Sequence, residues 1–312
     1  MNASITIYRT DGTAVTLTDC IRFSHRRERY QPFDSLIADF LFNTANPQGF
    51  ARAVFTLDGI TLHDGSLREF SIRTEENQTA AHIVSRGFSE VLLQNQLVPG
   101  VHLNVTLASL METYQLPHVT YESGISQLNY IYVKNNTPMW DAICAYNFKL
   151  NGGAPYVNAC NALRVTPKSA AVPFVIAEED VIATGCGGDT TTIVSRVDMA
   201  DIDDTYGTFT RSNPDAAARG IVRVKQMLFD RQFLYEPDDA LKFRIANSNR
   251  RLVSKTVRYR GYLGEDVEDT VAYDGFVNHR VSRIVITGDA HGVVTEDTFY
   301  FDSYCNVVPA AH

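Results

Sequence analysis

The chain has 312 residues, 45% apolar and 21% charged, which is ordinary globular usage and excludes a disordered, collagen-like or coiled-coil chain. Its 28 Lys+Arg against 36 Asp+Glu leave a net charge of −8, which argues against a protein whose main work is gripping nucleic acid. No run approaches the ~20 apolar residues of a helical membrane span, and length alone suggests about two domains.

The start, MNASITIYRT, lacks the basic region and apolar core of a secretory signal. The five cysteines, Cys20, Cys144, Cys160, Cys186 and Cys305, are odd in number, widely spaced and without a CxxC pair. They predict neither a disulfide framework nor a structural zinc site, but reduced, mostly buried residues of a protein folded in a cytoplasm. The four N-x-S/T triplets, at Asn2, Asn77, Asn104 and Asn135, then carry no meaning as glycosylation sites.

The first ~90 residues predict short strands. Ile5 and Ile7 alternate with polar neighbours, Thr10-Asp11-Gly12-Thr13 turns the chain, and Val15 and Leu17 resume the alternation. Phe33 to Phe42, Phe50 to Leu57 (closed by Asp58-Gly59), Ile60 to Leu62 (closed by His63-Asp64-Gly65-Ser66) and Leu67 to Thr74 follow. Such spacing points to a barrel or sandwich.

Near residue 95 the pattern changes. Leu107, Leu110, Met111 and Tyr114 share one face of a short helix. A second helix starts at Thr137, predicted as its cap, with Pro138 at the first turn. Trp140, Ile143, Cys144 and Phe148 share its apolar face, and Asn151-Gly152-Gly153 ends it. From Pro167 to about Gly220 the chain is acidic and turn-rich. Val172 to Ile176 and Thr190 to Val197 are strand candidates, separated by Gly185-Cys186-Gly187-Gly188. Beyond it come a strand at Ile221 to Phe229 and a helix opened by Glu236-Pro237-Asp238-Asp239 and followed by Arg250-Arg251. A strand over Val253 to Tyr259 and a pair over Val281 to Thr287 and Thr298 to Tyr304 close the pattern; Val307 to His312 shows no anchoring pattern. The resulting division is a β-barrel over 1–95, a small α/β unit over 96–166, an acidic β segment over 167–220 and a second barrel with one helix over 221–312. The fold class is α+β and β-rich, two barrels flanking a small α/β unit.

Catalytic signatures are missing: no GxxxxGK[ST], GxGxxG, HExxH or GxSxG occurs, and no two of the eight histidines stand four apart. The aspartates of Asp198 to Asp204 invite a calcium loop. Counted from Asp198, the required sixth and twelfth positions hold Asp203 and Phe209, and from Asp201 they hold Tyr206 and Ser212, so the loop reads as solvated. Glu112, Glu122 and Asp141 are arbitrary candidates for a glycosidase pair, and Cys144 on an apolar helix face reads as core. No catalytic, cofactor or metal residue is assigned.

Charge is segregated along the chain. His25-Arg26-Arg27-Glu28-Arg29 is basic, 242–260 carries seven Lys/Arg without an acid, and 178–204 holds eight carboxylates against one arginine. Glu265, Asp266, Glu268 and Asp269 form a further acidic cluster. Opposite patches suit docking between copies of one chain, which makes Arg250, Arg251, Arg258, Glu265 and Asp266 the candidate subunit-interface residues.

Two stretches carry a family likeness. Ser85-Arg86-Gly87-Phe88-Ser89-Glu90-Val91-Leu92-Leu93 leads to Val98-Pro99-Gly100 and the Leu107 helix. Asn136-Thr137-Pro138-Met139-Trp140-Asp141-Ala142-Ile143 leads to Pro155-Tyr156-Val157 and Leu163-Arg164-Val165. Their order and spacing resemble baseplate hub proteins of contractile phage tails, particularly those of Mu-like phages and of Gram-positive prophages and tail-like bacteriocins. The likeness covers ~60 to ~166 best. It implies a non-enzymatic homotrimer whose chains each carry two tube-like barrels. Six barrels then join the sixfold tail tube to a threefold spike. The implied partners are the spike, the tube, the tape-measure protein and the baseplate wedges, with no cofactor, no membrane and no specific nucleic acid. The implied location is a phage or phage-like particle assembled in the bacterial cytoplasm. A sugar- or receptor-binding β module and, less favoured, a tail-associated cell-wall hydrolase are the alternatives.

Overall fold

The computed structural model describes residues 2–42, 48–75, 78–169, 172–273 and 276–301. Strand dominates it, at 46% against 17% helix. Strands β1 (Ala3–Arg9), β2 (Ala14–Leu17), β3 (Cys20–Glu28), β4 (Ser35–Leu41), β5 (Phe50–Leu57), β6 (Ile60–Glu75) and β7 (Gln78–Gly87) follow one another directly. In β1, Ala3, Ile5 and Ile7 turn inward at period two, which is what makes the segment a half-buried strand. Gly12 at φ 85° turns the chain into β2, with Asp11 Oδ1 accepting from the Thr13 amide at 2.9 Å. Asp58 and Gly59 have φ of 49° and 87°, the two positive values of a type I′ turn between β5 and β6.

These seven strands join four from later in the chain in one eleven-stranded sheet. Its order is Val181–Gly187, Ser254–Arg260, Gly292–Tyr300, Arg283–Asp289, β3, β4, β7, β6, β5, β1, β2. The junction is the antiparallel pair of β3 with Arg283–Asp289, from Arg283 opposite Glu28 to Gly288 opposite Phe23. A Cβ at Gly288 would stand inside the Phe23 ring, so glycine lets the two strands close there. One core runs through both ends of the chain, with Ile5, Phe40, Phe55, Val257, Ile284 and Phe299 in a single cluster. Among the described residues the two end strands of the sheet do not pair with each other, so the sheet is open.

Residues between the halves form two further cores. Leu92, Leu110, Trp140, Ile143 and Leu163 pack in one, and Phe148, Met199, Phe233 and Leu241 in the other. The helix Met139–Asn151 passes between them, and its buried residues run from Met139 to Lys149 on all sides rather than along one face. Gly152 in the left-handed conformation stops it, as expected; the residue at its start is Pro138, and no side chain caps it.

Several element boundaries differ from the sequence reading. The expected turn at His63-Asp64-Gly65-Ser66 is the middle of β6, a continuous strand of 16 residues. Gly65 faces Gly87 across the ladder, and a Cβ on it would overlap the Arg86 carbonyl. Glycine here admits close backbone approach instead of making a turn. Likewise Gly185-Cys186-Gly187 lies within an edge strand, not between strands. Thr190 to Val197 is strand only from Arg196, and Val172 to Ile176 only at Phe174–Val175. The last hairpin pairs Arg283–Asp289 with Gly292–Tyr300. Its expected end at Tyr304 lies outside the described residues, as do Cys305 and the terminal stretch.

Candidate functional site

The basic cluster of β3 and the acidic cluster at 265–269 meet inside the chain. Arg27, 3% exposed, donates from Nη1 to Asp266 at 2.7 Å and from Nη2 to the Leu62 carbonyl at 2.8 Å. Arg29 pairs with Glu268 at 3.0 Å and Arg280 with the same residue at 3.1 Å. Arg251 pairs with Glu28, which also takes Arg26 at 2.6 Å. The pairs Arg27–Asp266, Arg29–Glu268 and Arg251–Glu28 tie β3 and the residue after it to sequence more than 220 residues away. The charge segregation seen in the sequence is thus used, at least at these positions, as a seam within one chain.

The five candidate interface residues divide accordingly. Glu265 is fully enclosed and holds the Tyr259 hydroxyl and the Leu263 amide, the latter at 3.1 Å. Asp266 is committed to Arg27 and to the Ala159 amide at 2.8 Å. Arg251 is in the seam, and Arg250 lies over the Tyr30 ring at 4.5 Å. Arg258 stands exposed on Ser254–Arg260, opposite Glu296. Glu265 is thus enclosed within its own chain, whereas Arg258 is exposed.

Below the seam lies a cluster that the sequence reading passed over. His25, Asp34 and His63 are 0%, 7% and 0% exposed. His25 Nε2 and His63 Nδ1 lie 2.8 and 2.9 Å from Asp34 Oδ2, and Arg27 Nη2 is 3.3 Å from the same oxygen. The three donor atoms lie within 4.8 Å of one another. Burial pushes His25 down to about 4, and the surrounding histidines and Arg27 hold the Asp34 carboxyl well below its usual range against the opposing effect of burial. Gly87 and Gly65 make the floor: a Cβ on Gly87 would overlap Asp34 Oδ1, and one on Gly65 would stand 2.6 Å from His63 Nε2. The residues are 38 positions apart in sequence and come together only because β3 and β6 lie on either side of the β4–β7 pair. No spacing rule could have found them.

The other candidates are structural in their contacts. Glu122 accepts from the amides of Val165 and Thr166 at 3.0 and 3.1 Å, and Glu112 accepts from the Tyr121 hydroxyl. Asp201 accepts from the amides of Asp203 and Thr205 at 3.0 and 2.9 Å, closing its own acidic loop. Burial drives the Cys144 thiol up to about 12, which removes it as a nucleophile. Asp141 lies with Trp140, Gln232, Arg244 and Arg250 around a polar cleft of ≈ 390 Å³.

The surface offers two features suited to partners. The edge strand Val181–Gly187 is exposed over six of its seven residues, with one flank unpaired among the described residues. A groove of ≈ 550 Å³ is lined by Val101, Leu103, Ile202, Phe229, Leu234 and Tyr235. Leu103, Ile202 and Tyr235 are 70%, 73% and 70% exposed, a concentration of apolar surface that marks contact sites. No helix among the described residues is long and apolar enough to cross a membrane.

The fold as a whole is similar to that of solved prophage tail proteins. Over 98% of this chain and all of the other, it matches the 43 kDa tail protein of prophage MuSo2 from Shewanella oneidensis, with 10% identity and a TM-score of 0.67. The tail protein from Neisseria meningitidis MC58 matches over 99% of this chain and all of its own, with 13% identity and a TM-score of 0.71. The E. coli c3393 protein matches over 94% of this chain and 76% of its own, with 8% identity and a TM-score of 0.55. It is described as a type VI secretion component with structural similarity to the T4 bacteriophage tail proteins gp27 and gp5. At such identities the likeness is one of fold. No family model and no curated protein matches the sequence.

Proposed function

We propose that this chain is the structural hub of a contractile tail baseplate, a trimer that joins the sixfold tube to the threefold spike. The observation that carries the reading is the end-to-end agreement of fold with the two prophage tail proteins. The likeness to a type VI secretion component related to gp27 and gp5 supports the placement beside a spike. In this reading the strands of 1–95 and 221–312, the latter extended in the sheet by Val181–Gly187, act as two tube-like modules, and the rest of 96–166 and 167–220 forms the units between them. The tape-measure protein and baseplate wedges are further partners, and the particle is a phage or a phage-like injection device. A closed trimer uses heterologous contacts, two different faces on each copy. The exposed edge strand and Arg258 supply one candidate face, and the apolar groove at Leu103 and Tyr235 another.

Sedimentation of the chain alone and with a co-expressed spike tests this, followed by class averaging of stained particles. A mass of three chains and threefold rings of tube width are expected. A monomer in both preparations, with no spike in the sedimenting species, overturns the reading. Arg258→Glu and Leu103→Glu should each lower the trimer fraction without lowering Tm.

A further inference from the structure

We propose that His25 Nε2, His63 Nδ1 and Asp34 Oδ2 form a binding site for one divalent transition-metal ion of the zinc class. Hydrogen-bond accounting is the first ground. Ser85 Oγ has one proton, and it is donated to the Ser66 carbonyl at 2.9 Å. The 2.7 Å contact of Ser85 with His63 Nε2 is therefore made by the ring N–H. His63 Nδ1 lies 2.9 Å from Asp34 Oδ2 and His25 Nε2 lies 2.8 Å from the same oxygen, so two imidazole nitrogens converge on one buried carboxylate. A metal ion held by the three atoms would take the place of the protons that otherwise link them.

The charges beside the site admit a cation. Within the cluster a single guanidinium, Arg27, stands between two carboxylates, Asp34 and Asp266, which leaves a place for one further positive charge, carried by a ring proton or by a metal ion.

The donor set selects the ion. Two imidazole nitrogens and a carboxylate oxygen suit zinc, cobalt or nickel, while calcium and magnesium prefer oxygen alone. The outer contacts of two of the three ligands have the form such sites need: Ser85 fixes the far nitrogen of His63, and Arg27 steadies the carboxylate. His25, whose Nδ1 has no hydrogen-bond partner among the described residues, supplies Nε2 as a neutral ligand and carries its proton on Nδ1 when the metal is bound. Asp34 Oδ1 packs against Gly87, where a Cβ would overlap it, so the carboxylate is held with Oδ2 toward the two histidines.

The test uses the full chain, stripped with a chelator and titrated with Co²⁺, then with Zn²⁺ in competition. One equivalent of Co²⁺ should give visible absorption of a tetrahedral nitrogen–oxygen site, and Zn²⁺ should displace it and raise Tm. His63→Gln and Asp34→Asn should abolish both responses, while His82→Gln, outside the cluster, should retain them. X-ray absorption of the zinc-loaded wild-type protein should count two imidazoles, and this decides the matter if the buried variants do not fold. No spectral change and no Tm shift with either metal overturns the site. So does a nitrogen-15 spectrum showing both His63 nitrogens protonated in the presence of excess zinc.

Discussion

Asp297→Asn should take a pH dependence out of the stability of this fold. Asp297 is fully enclosed on the strand Gly292–Tyr300, and neither of its carboxylate oxygens has a hydrogen-bond partner among the described residues. Burial raises its pKa well above the ordinary carboxylate value, and the carboxylates of Glu265 and Glu296 add to the rise. Glu265 is also raised, first by burial. A carboxyl raised in the folded state keeps a proton that the unfolded chain releases above pH ~4. Its contribution is therefore fully present below that pH and is lost as pH rises through the folded value. One retained proton gives a slope of about 1.4 kcal/mol per pH unit. At roughly 2–4 °C of Tm per kcal/mol for a chain of this size class, the wild type should lose about 3–5 °C per pH unit relative to the variant. Thermal melts followed by circular dichroism at constant ionic strength, in steps from pH 5 to 8, measure the difference. Parallel Tm curves for the two proteins would refute the assignment of a protonated Asp297.

Removing the seam cation by Arg27→Met leaves buried Asp34 and half-buried Asp266 without their guanidinium and should cost about 3–5 kcal/mol in urea unfolding. Two glycine replacements should separate close approach from backbone conformation. Gly12→Ala, with open space around it but φ of 85°, should cost about 1–2 kcal/mol. Gly65→Ala must also push the β6 and β7 backbones apart at Arg86 and should cost more than that. Thiol labelling read site by site by mass spectrometry should modify exposed Cys160 and Cys186 quickly and buried Cys144 only on unfolding. Fast labelling of Cys144 in the folded protein would contradict its enclosure between the helix and the polar cleft.

Local patterns were legible where a single element decides its own conformation. The alternation of Ile5 and Ile7, the turns at Gly12 and Asp58-Gly59, and the helix stop at Gly152 all read correctly, because each depends on a period or on one backbone angle. The Thr137 cap did not hold, since tertiary burial of the whole Met139–Asn151 helix, not its first turn, secures it. The likeness to phage tail proteins was carried by order and spacing, and the end-to-end agreement of fold with two prophage tail proteins bears it out at the level of fold.

Pairing between distant segments was beyond the sequence. Gly65 reads as a turn signal in either setting, and only the strand beside it, with the Arg86 carbonyl in the way of a Cβ, makes it a point of close approach. The basic and acidic clusters were visible as charges, but composition cannot distinguish a partner in the same chain from one in another copy. That distinction came from the register of β3 against Arg283–Asp289, which brings residues 25–29 to 265–269. The order β3-β4-β7-β6 on the other side of β3 assembles His25, Asp34 and His63, three residues with no spacing in common. Charge, period and turn chemistry are properties of short segments and so are written locally. A shared oxygen atom between two histidines depends on long-range strand order, which only the folded sheet defines.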